Sequence, residues 1–392
     1  MSRRVRWLVW LILCGVAAYS RGTPRPPEPK WTINLMDRFE FQAFDRTIKY
    51  PWSLHQDVVF LSPDKVLVYQ VNRSRAAVKL RPRDASGGSG NFLVDIRILS
   101  ALDGHEIKAL QLATNAAATQ VMATREGRFL VRTGEVLYLY SANFEPIASK
   151  ALPLLRAVQE EEWQMDVSPS GAEVALVHQQ IFRRNQLSPA SDVEKARADV
   201  EVLHEETLMT IEKFSLPWFL ESSWSMGEHA LVSPRPAPSA NPVAFGLLDY
   251  HGNWAPLSSA SFSPNQSCAH RALALDSRLF VTYGCGALSV SPQNGPPVFV
   301  IKNASREYAG SVKSQDGMLA VGLERHLTKT DNAANVPIQV VRPLRIDVYD
   351  GRNRQALLSV PAHGDRIYYS VSAQGALAVV DGTSLALYRP RP

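Results

Sequence analysis

Nine histidines, at positions 55, 105, 178, 204, 229, 251, 270, 326 and 363, are the first residues to question for chemistry. No two of them stand at metal-ligand spacing. The stretch HEETL at His204 lacks the second histidine that a zinc-protease helix needs to close the metal from one face. A haem-attachment Cys-x-x-Cys-His does not occur, nor does the GxSxG turn that lifts a hydrolase serine out of a sheet. Ser314-Gln315-Asp316-Gly317 is half of a Ser-x-Asp-x-Gly-x-x-Trp box without its tryptophan, and such turns join strands in any hairpin. No catalytic residue, no metal and no cofactor are therefore expected from local motifs. An enzyme would need a site gathered from distant strands.

The elements that would position such a site are preceded by a different kind of segment. Arg3, Arg4 and Arg6 form a basic start, Trp7 to Ala18 is an apolar run, and Ala18-Tyr19-Ser20 offers small residues for cleavage. Twelve apolar residues fall short of the roughly 20 that span a bilayer. The expectation is a cleaved signal peptide over residues 1–20, giving a secreted or periplasmic protein with no membrane span afterwards. Lipid attachment at Cys14 is disfavoured by the bulky Leu13. Residues 21–30, RGTPRPPEPK, read as a Pro-rich spacer. The chain carries +5, and losing Arg3, Arg4 and Arg6 leaves about +2, which is no nucleic-acid signature.

From residue 31 onward one pattern repeats. Turns at Ser62, Thr124, Ser168, Ser225, Asp276, Ser314 and Ser372 each separate two apolar runs, and a third and fourth run follow. Four strands per unit and seven units predict an all-β, seven-bladed propeller over residues 31–392. The seventh unit, ending in TSLALYRPRP, has no fourth run. KWTINLM, at Lys30 to Met36, stands before the first blade and is expected to supply that strand and close the ring. SDVEKARADVEVL could begin as a helical turn, but its end is better used as strand.

SPDKVLVYQV, SQDGMLAVGL and LRIDVYD resemble the WD-repeat-like propellers of exported bacterial proteins, of Tol and YVTN type, in which a Ser-Pro-Asp-Gly turn joins the inner strands. The resemblance implies the fold, and envelope work only by association. Tyr349-Asp350 stands where a Trp-Asp pair would fall, and Gly104-His105 lies in the wrong turn, so the hydrogen-bonded tetrad of true WD repeats is not expected.

Two residue sets then acquire positions. Cys268 and Cys285 flank the fifth hairpin, and a two-residue turn at Asp276-Ser277 would oppose them, predicting a disulfide in an oxidising compartment. Four insertions, residues 73–92, 181–199, 233–242 and 324–343, all fall between second and third strands, which places them on one face. They hold Arg73, Arg75, Lys79, Arg81, Arg83, Arg183, Arg184, Lys195, Arg197, Arg235, Arg325, Lys329 and Arg342 against six carboxylates. A face of this polarity draws acidic partners. The expected function is a monomeric, non-catalytic binding scaffold for a protein or an anionic glycan. The alternative is a propeller enzyme, a lyase or lactonase-like hydrolase, with its site in the central channel.

Overall fold

The computed structural model describes residues 27–41, 55–73, 92–114, 119–133, 136–153, 160–183, 193–217, 220, 224–234, 245–257, 271–284, 287–302, 307–331, 336–364 and 367–390. Seven separate four-stranded antiparallel sheets account for nearly all of them. We label the strands of each blade a to d from the channel outward. Blades 1 to 6 run in chain order over residues 55–114, 120–151, 160–216, 225–256, 271–302 and 308–361. Blade 7 takes Ile367–Val371, Leu377–Asp381 and Ser384–Tyr388 as strands a to c, and its strand d is Trp31–Asn34. The register runs from Trp31↔Leu387 to Asn34↔Ser384, so the N-terminal strand closes the ring as the sequence predicted. The expected strand is shorter than KWTINLM, because Asn34 caps a one-turn helix, Leu35–Phe39, by accepting from the Met36 N–H at 3.0 Å.

Seven clusters of buried apolar side chains fill the seven seams between adjacent blades. Inner strands therefore pack on both faces, which is why Phe129–Arg132 is buried at every position. Outer strands pack on one face only, and Glu106–Thr114 falls into alternation. The seam between blades 7 and 1 is the most heavily built. Ile33, Leu35, Phe39 and Phe41 join Val58, Phe60 and Val66 of blade 1 and Ala378, Val380 and Leu385 of blade 7. Gly104 makes room for the closing strand. It has φ +75, and a Cβ there would stand 2.8 Å from Ile33 Cδ1. Trp163, Trp224 and Trp254 pack in or against the seams flanking blade 3.

Antiparallel order sends the a–b and c–d turns to one face and the b–c and blade-to-blade connections to the other. The first, here the turn face, is tight. Ser168 Oγ accepts from the Glu173 N–H at 3.1 Å, and Ser372 Oγ accepts from the Ala376 N–H at 3.0 Å. These bonds explain why serine marks the turns. The other face bears extensions of strands b and c. Met318–Asp331 and Val336–Asp350 form one paired ribbon, so most of the insertion at 324–343 is regular β structure rather than loop. Val193–His204 is strand throughout, with no helical turn at its start. We call this the ribbon face.

The fifth hairpin departs from expectation by one residue. Its pairs are Ala274↔Phe280 and Leu273↔Val281, where a two-residue turn at Asp276-Ser277 would have paired Ala274 with Leu279. Asp276 instead heads a wider turn, with its Oδ1 accepting from the N–H groups of Arg278 at 2.7 Å and Leu279 at 2.8 Å. The register that placed Cys268 opposite Cys285 thus fails in the described part of the ladder. Both cysteines lie outside the described residues.

Candidate binding site

The a strands surround a central cavity of about 1430 Å³. Each a strand begins at the ribbon face and ends at the turn face, so a residue's distance from its hairpin turn fixes its depth. Near the ribbon-face end the a–b ladders pair Asp57 with Tyr69, Gln120 with Arg132, Trp163 with His178 and Arg271 with Tyr283. Tyr368 contributes from blade 7. Sequence reasoning missed this collar because each blade supplies only one or two of its members. A polar or aromatic residue four or five places before the turns at Ser62, Thr124, Ser168, Asp276 and Ser372 was the only available signal.

Internal bonds fix much of the wall. Gln120 donates from Nε2 to Met165 O at 2.8 Å and accepts the Met165 N–H at 3.1 Å, stitching blade 2 to blade 3. Ser370 Oγ accepts from the Phe60 N–H at 3.1 Å across the closing seam. Tyr369 donates to Ser311 O at 2.8 Å and accepts from the Gly322 N–H at 2.8 Å, and burial pushes its hydroxyl far above the ordinary phenol range. Asp166 accepts from the N–H groups of Met226 at 2.7 Å and Val167 at 3.0 Å. Burial nevertheless raises its carboxyl above the usual range, the two N–H bonds opposing that shift. Asp57 accepts from the Val58 N–H at 2.8 Å and stands 3.8 Å from Lys313 Nζ, which reaches across from blade 6.

Tyrosine hydroxyls and arginines complete the collar. Burial holds the Tyr69 hydroxyl well above its ordinary value, with Asp57 adding to the effect and Val121 and Arg132 opposing it. Burial likewise raises the Tyr283 hydroxyl, against the pull of Arg271, which is hydrogen-bonded to it. Among the described residues no group of three His, Cys, Asp or Glu side chains is arranged to hold a metal ion.

The basic residues expected on one face are distributed as follows. Arg73 ends strand b of blade 1 opposite Phe92, and Arg183 pairs with Val193 on blade 3. Lys329 pairs with Ile338 on the blade 6 ribbon. Arg325 is directly opposite Arg342 on the same ribbon, and both side chains are exposed. Arg197 is tied to Asp199 at 2.7 Å. Arg75, Lys79, Arg81, Arg83, Arg184 and Arg235 lie outside the described residues. All the described members belong to the ribbon face, on which the collar opens.

No family model matches the chain, and no curated protein matches it. Among solved structures it is similar to the Neurospora crassa Pan2 WD40 domain, at 12% identity and a TM-score of 0.50, covering 94% of this chain and 98% of that one. It is similar to an oligogalacturonate lyase from Vibrio parahaemolyticus at 10% identity and a TM-score of 0.50, covering 94% and 99%. At such identities the likeness establishes a shared propeller fold. One neighbour is a WD40 domain and the other a lyase, which restates that this fold hosts unlike functions. No helix among the described residues is long and apolar enough to cross a membrane.

Proposed function

We propose that the protein is an exported, non-catalytic scaffold that binds an acidic partner protein on its ribbon face. The observation that carries this reading is the pair Arg325 and Arg342. Like charges directly opposed on adjacent strands destabilise a ladder by a few tenths of a kcal/mol or more, roughly the inverse of a favourable pair. Among the described residues neither arginine has an ion-pair partner. A ribbon that tolerates this repulsion, beside the exposed Val341, is built to meet an anion. Rim charges of this kind steer association and weaken with salt.

The test is recovery of partners from the protein's own envelope fraction. The wild type should retain an acidic protein at low salt and release it as salt rises. The variant with Arg73, Arg75, Arg81, Arg83, Arg325 and Arg342 replaced by Ser should not retain it. Equal recovery by both would end the proposal. A propeller enzyme is the second reading, favoured by Lys313 lying near Asp57 with Asp166 also in the channel. Turnover of any substrate that is lost in Lys313→Met, with partner recovery unchanged, would promote it.

A further inference from the structure

We infer that the blade 6 ribbon joins two copies of this chain, the inner edge of strand b of one adding antiparallel to the same edge of the other. This goes beyond the acidic-partner reading, and it sets a pair of chains where the sequence alone suggests a monomer.

The ladders leave that edge open. Strand a of blade 6 begins pairing at Tyr308, opposite Glu324, and strand d stops pairing at Pro361, opposite Arg345. Strands b and c run on past both, from Arg325↔Arg342 to Asp331↔Val336. At about 3.3 Å a residue, residues 325–331 carry this ribbon roughly 23 Å beyond the blade. Among the described residues no further strand pairs with either of its edges. The two edges are built differently. The outer one, on strand c, holds Pro337 and Pro343, which lack N–H groups, and a bulge at Leu344 between the pairs Leu323↔Arg345 and Glu324↔Pro343. Proline and bulges keep a foreign strand off an edge. The inner edge, residues 325–331, has no proline and no bulge, and its charges are of both signs.

Those charges select the occupant. Antiparallel edges of two identical strands meet about a two-fold axis, and directly opposed residues must share a face of the sheet. Full overlap of residues 325–331 sets Thr328 against its own copy, a favourable cross-strand pair. Arg325 then opposes Asp331, His326 opposes Thr330 and Leu327 opposes Lys329. Sliding the centre to Leu327 sets Arg325 against Lys329, and sliding it to Lys329 sets that lysine against itself. Like charges directly opposed are destabilising. Full overlap is therefore the register that both covers the edge and matches its charges. It gives Arg325 a carboxylate, and it leaves Arg342 to the acidic partner.

Stability argues the same way. A two-stranded ribbon standing alone in water is marginal, whereas three or more strands with an apolar face are not. By register, Leu327, Val336, Ile338 and Val340 share one face of this ribbon. A two-fold axis perpendicular to the sheet keeps that face on the same side in both copies. Two ribbons thus become four strands with a single, doubled apolar face.

The experiment is sedimentation of the full chain over a concentration series, with charge reversals. The wild type should pass from one chain to two, and hydrogen exchange over residues 325–331 should slow as it does. Arg325→Asp alone and Asp331→Arg alone each oppose like charges at both ends of the pairing. Each should weaken self-association about ten-fold or more. Mixed together, the two variants oppose unlike charges again and should form a heterodimer about as tight as the wild-type pair. The doubly reversed chain should pair with itself. Recovery on mixing excludes a folding defect in either variant. A wild type that stays single, exchange that ignores concentration, or single reversals that pair as well as the wild type overturns the inference. So does a mixture that fails to associate. None of these outcomes touches the acidic-partner reading, which is judged by partner recovery.

Discussion

On the turn face, charged groups are tied across neighbouring blades; on the ribbon face, Arg197 and Arg345 are paired as well, but the opposed Arg325 and Arg342 are left to solvent. Glu205 of blade 3 is fully buried, accepts from Thr124 Oγ1 of blade 2 at 2.6 Å and pairs with Arg128 at 2.9 Å. Glu173 accepts from Tyr250 at 2.5 Å and contacts His229 Nδ1 at 2.8 Å, tying blade 3 to blade 4. Arg352 of blade 6 reaches Asp276 of blade 5 at 3.9 Å. The ribbon face shows the contrary in Arg325 and Arg342. Both faces are ends of the same hairpins, so the difference lies in sequence rather than topology. One face holds the ring together, and the other is free to specialise.

Substitutions on the two faces should separate accordingly. The largest effect is expected from Glu205→Ala, which removes the fully buried acceptor of Thr124 Oγ1 and leaves the partly buried Arg128 with only the more distant Glu126, at 3.6 Å. It should cost about 3 kcal/mol in denaturant unfolding without touching partner recovery. Gly104→Ala comes next. Its positive φ and the 2.8 Å approach to Ile33 together should cost about 2–4 kcal/mol. The matching change on the ribbon face is Gly382→Ala. Gly382 also has positive φ, +62, but no atom lies within 4 Å of its missing Cβ, so only about 1 kcal/mol should be lost. Equal losses at the two glycines would erase the contrast between the faces.

Arg325→Ser/Arg342→Ser should move stability the other way, raising it by about 0.5 kcal/mol as the cross-strand repulsion disappears. A clear fall in stability would mean the pair is structural. The smallest effect concerns pH. Asp103, in a c–d turn, has its carboxyl lowered to about 2, first by the Ser100 hydroxyl and then by His105, which it contacts at 2.7 Å. A lowered folded-state value stabilises above the unfolded pKa near 3.8 and is lost as pH falls toward 2. The stability gap between wild type and Asp103→Asn should therefore be present at pH 5 and reduced to a small remainder at pH 2. A gap as large at pH 2 as at pH 5 would assign the effect to packing.

The blades were legible because their signals are local. Ser62, Ser168 and Ser372 announce turns by bonds that reach only a few residues, and the apolar runs beside them must pack on both sides. The closing strand was legible by counting, since a four-run pattern lacked one member. Register was less so. The Asp276 turn is wider than its shortest form, and a single residue is enough to undo the cysteine argument. The ends of the blade 6 ribbon, MLAVGL and LRIDVYD, read as strands, but residues 324–343 read as an insertion because their polar residues alternate with too few apolar ones. The collar was invisible, since Asp57, Arg132, Trp163 and Arg271 meet only when the ring closes.

That closure also sets an order of events. Every other hairpin pairs strands that leave synthesis close together, whereas Trp31 waits for Leu387. Long-range pairing of this kind is slow to form. Until it does, two open edges coexist, Trp31–Asn34 and Ser384–Tyr388, both prone to add a foreign strand. A chain cut short before residue 384 can never satisfy the first of them. The first strand of the ring thus audits the last, and only a chain extended through Tyr388 passes.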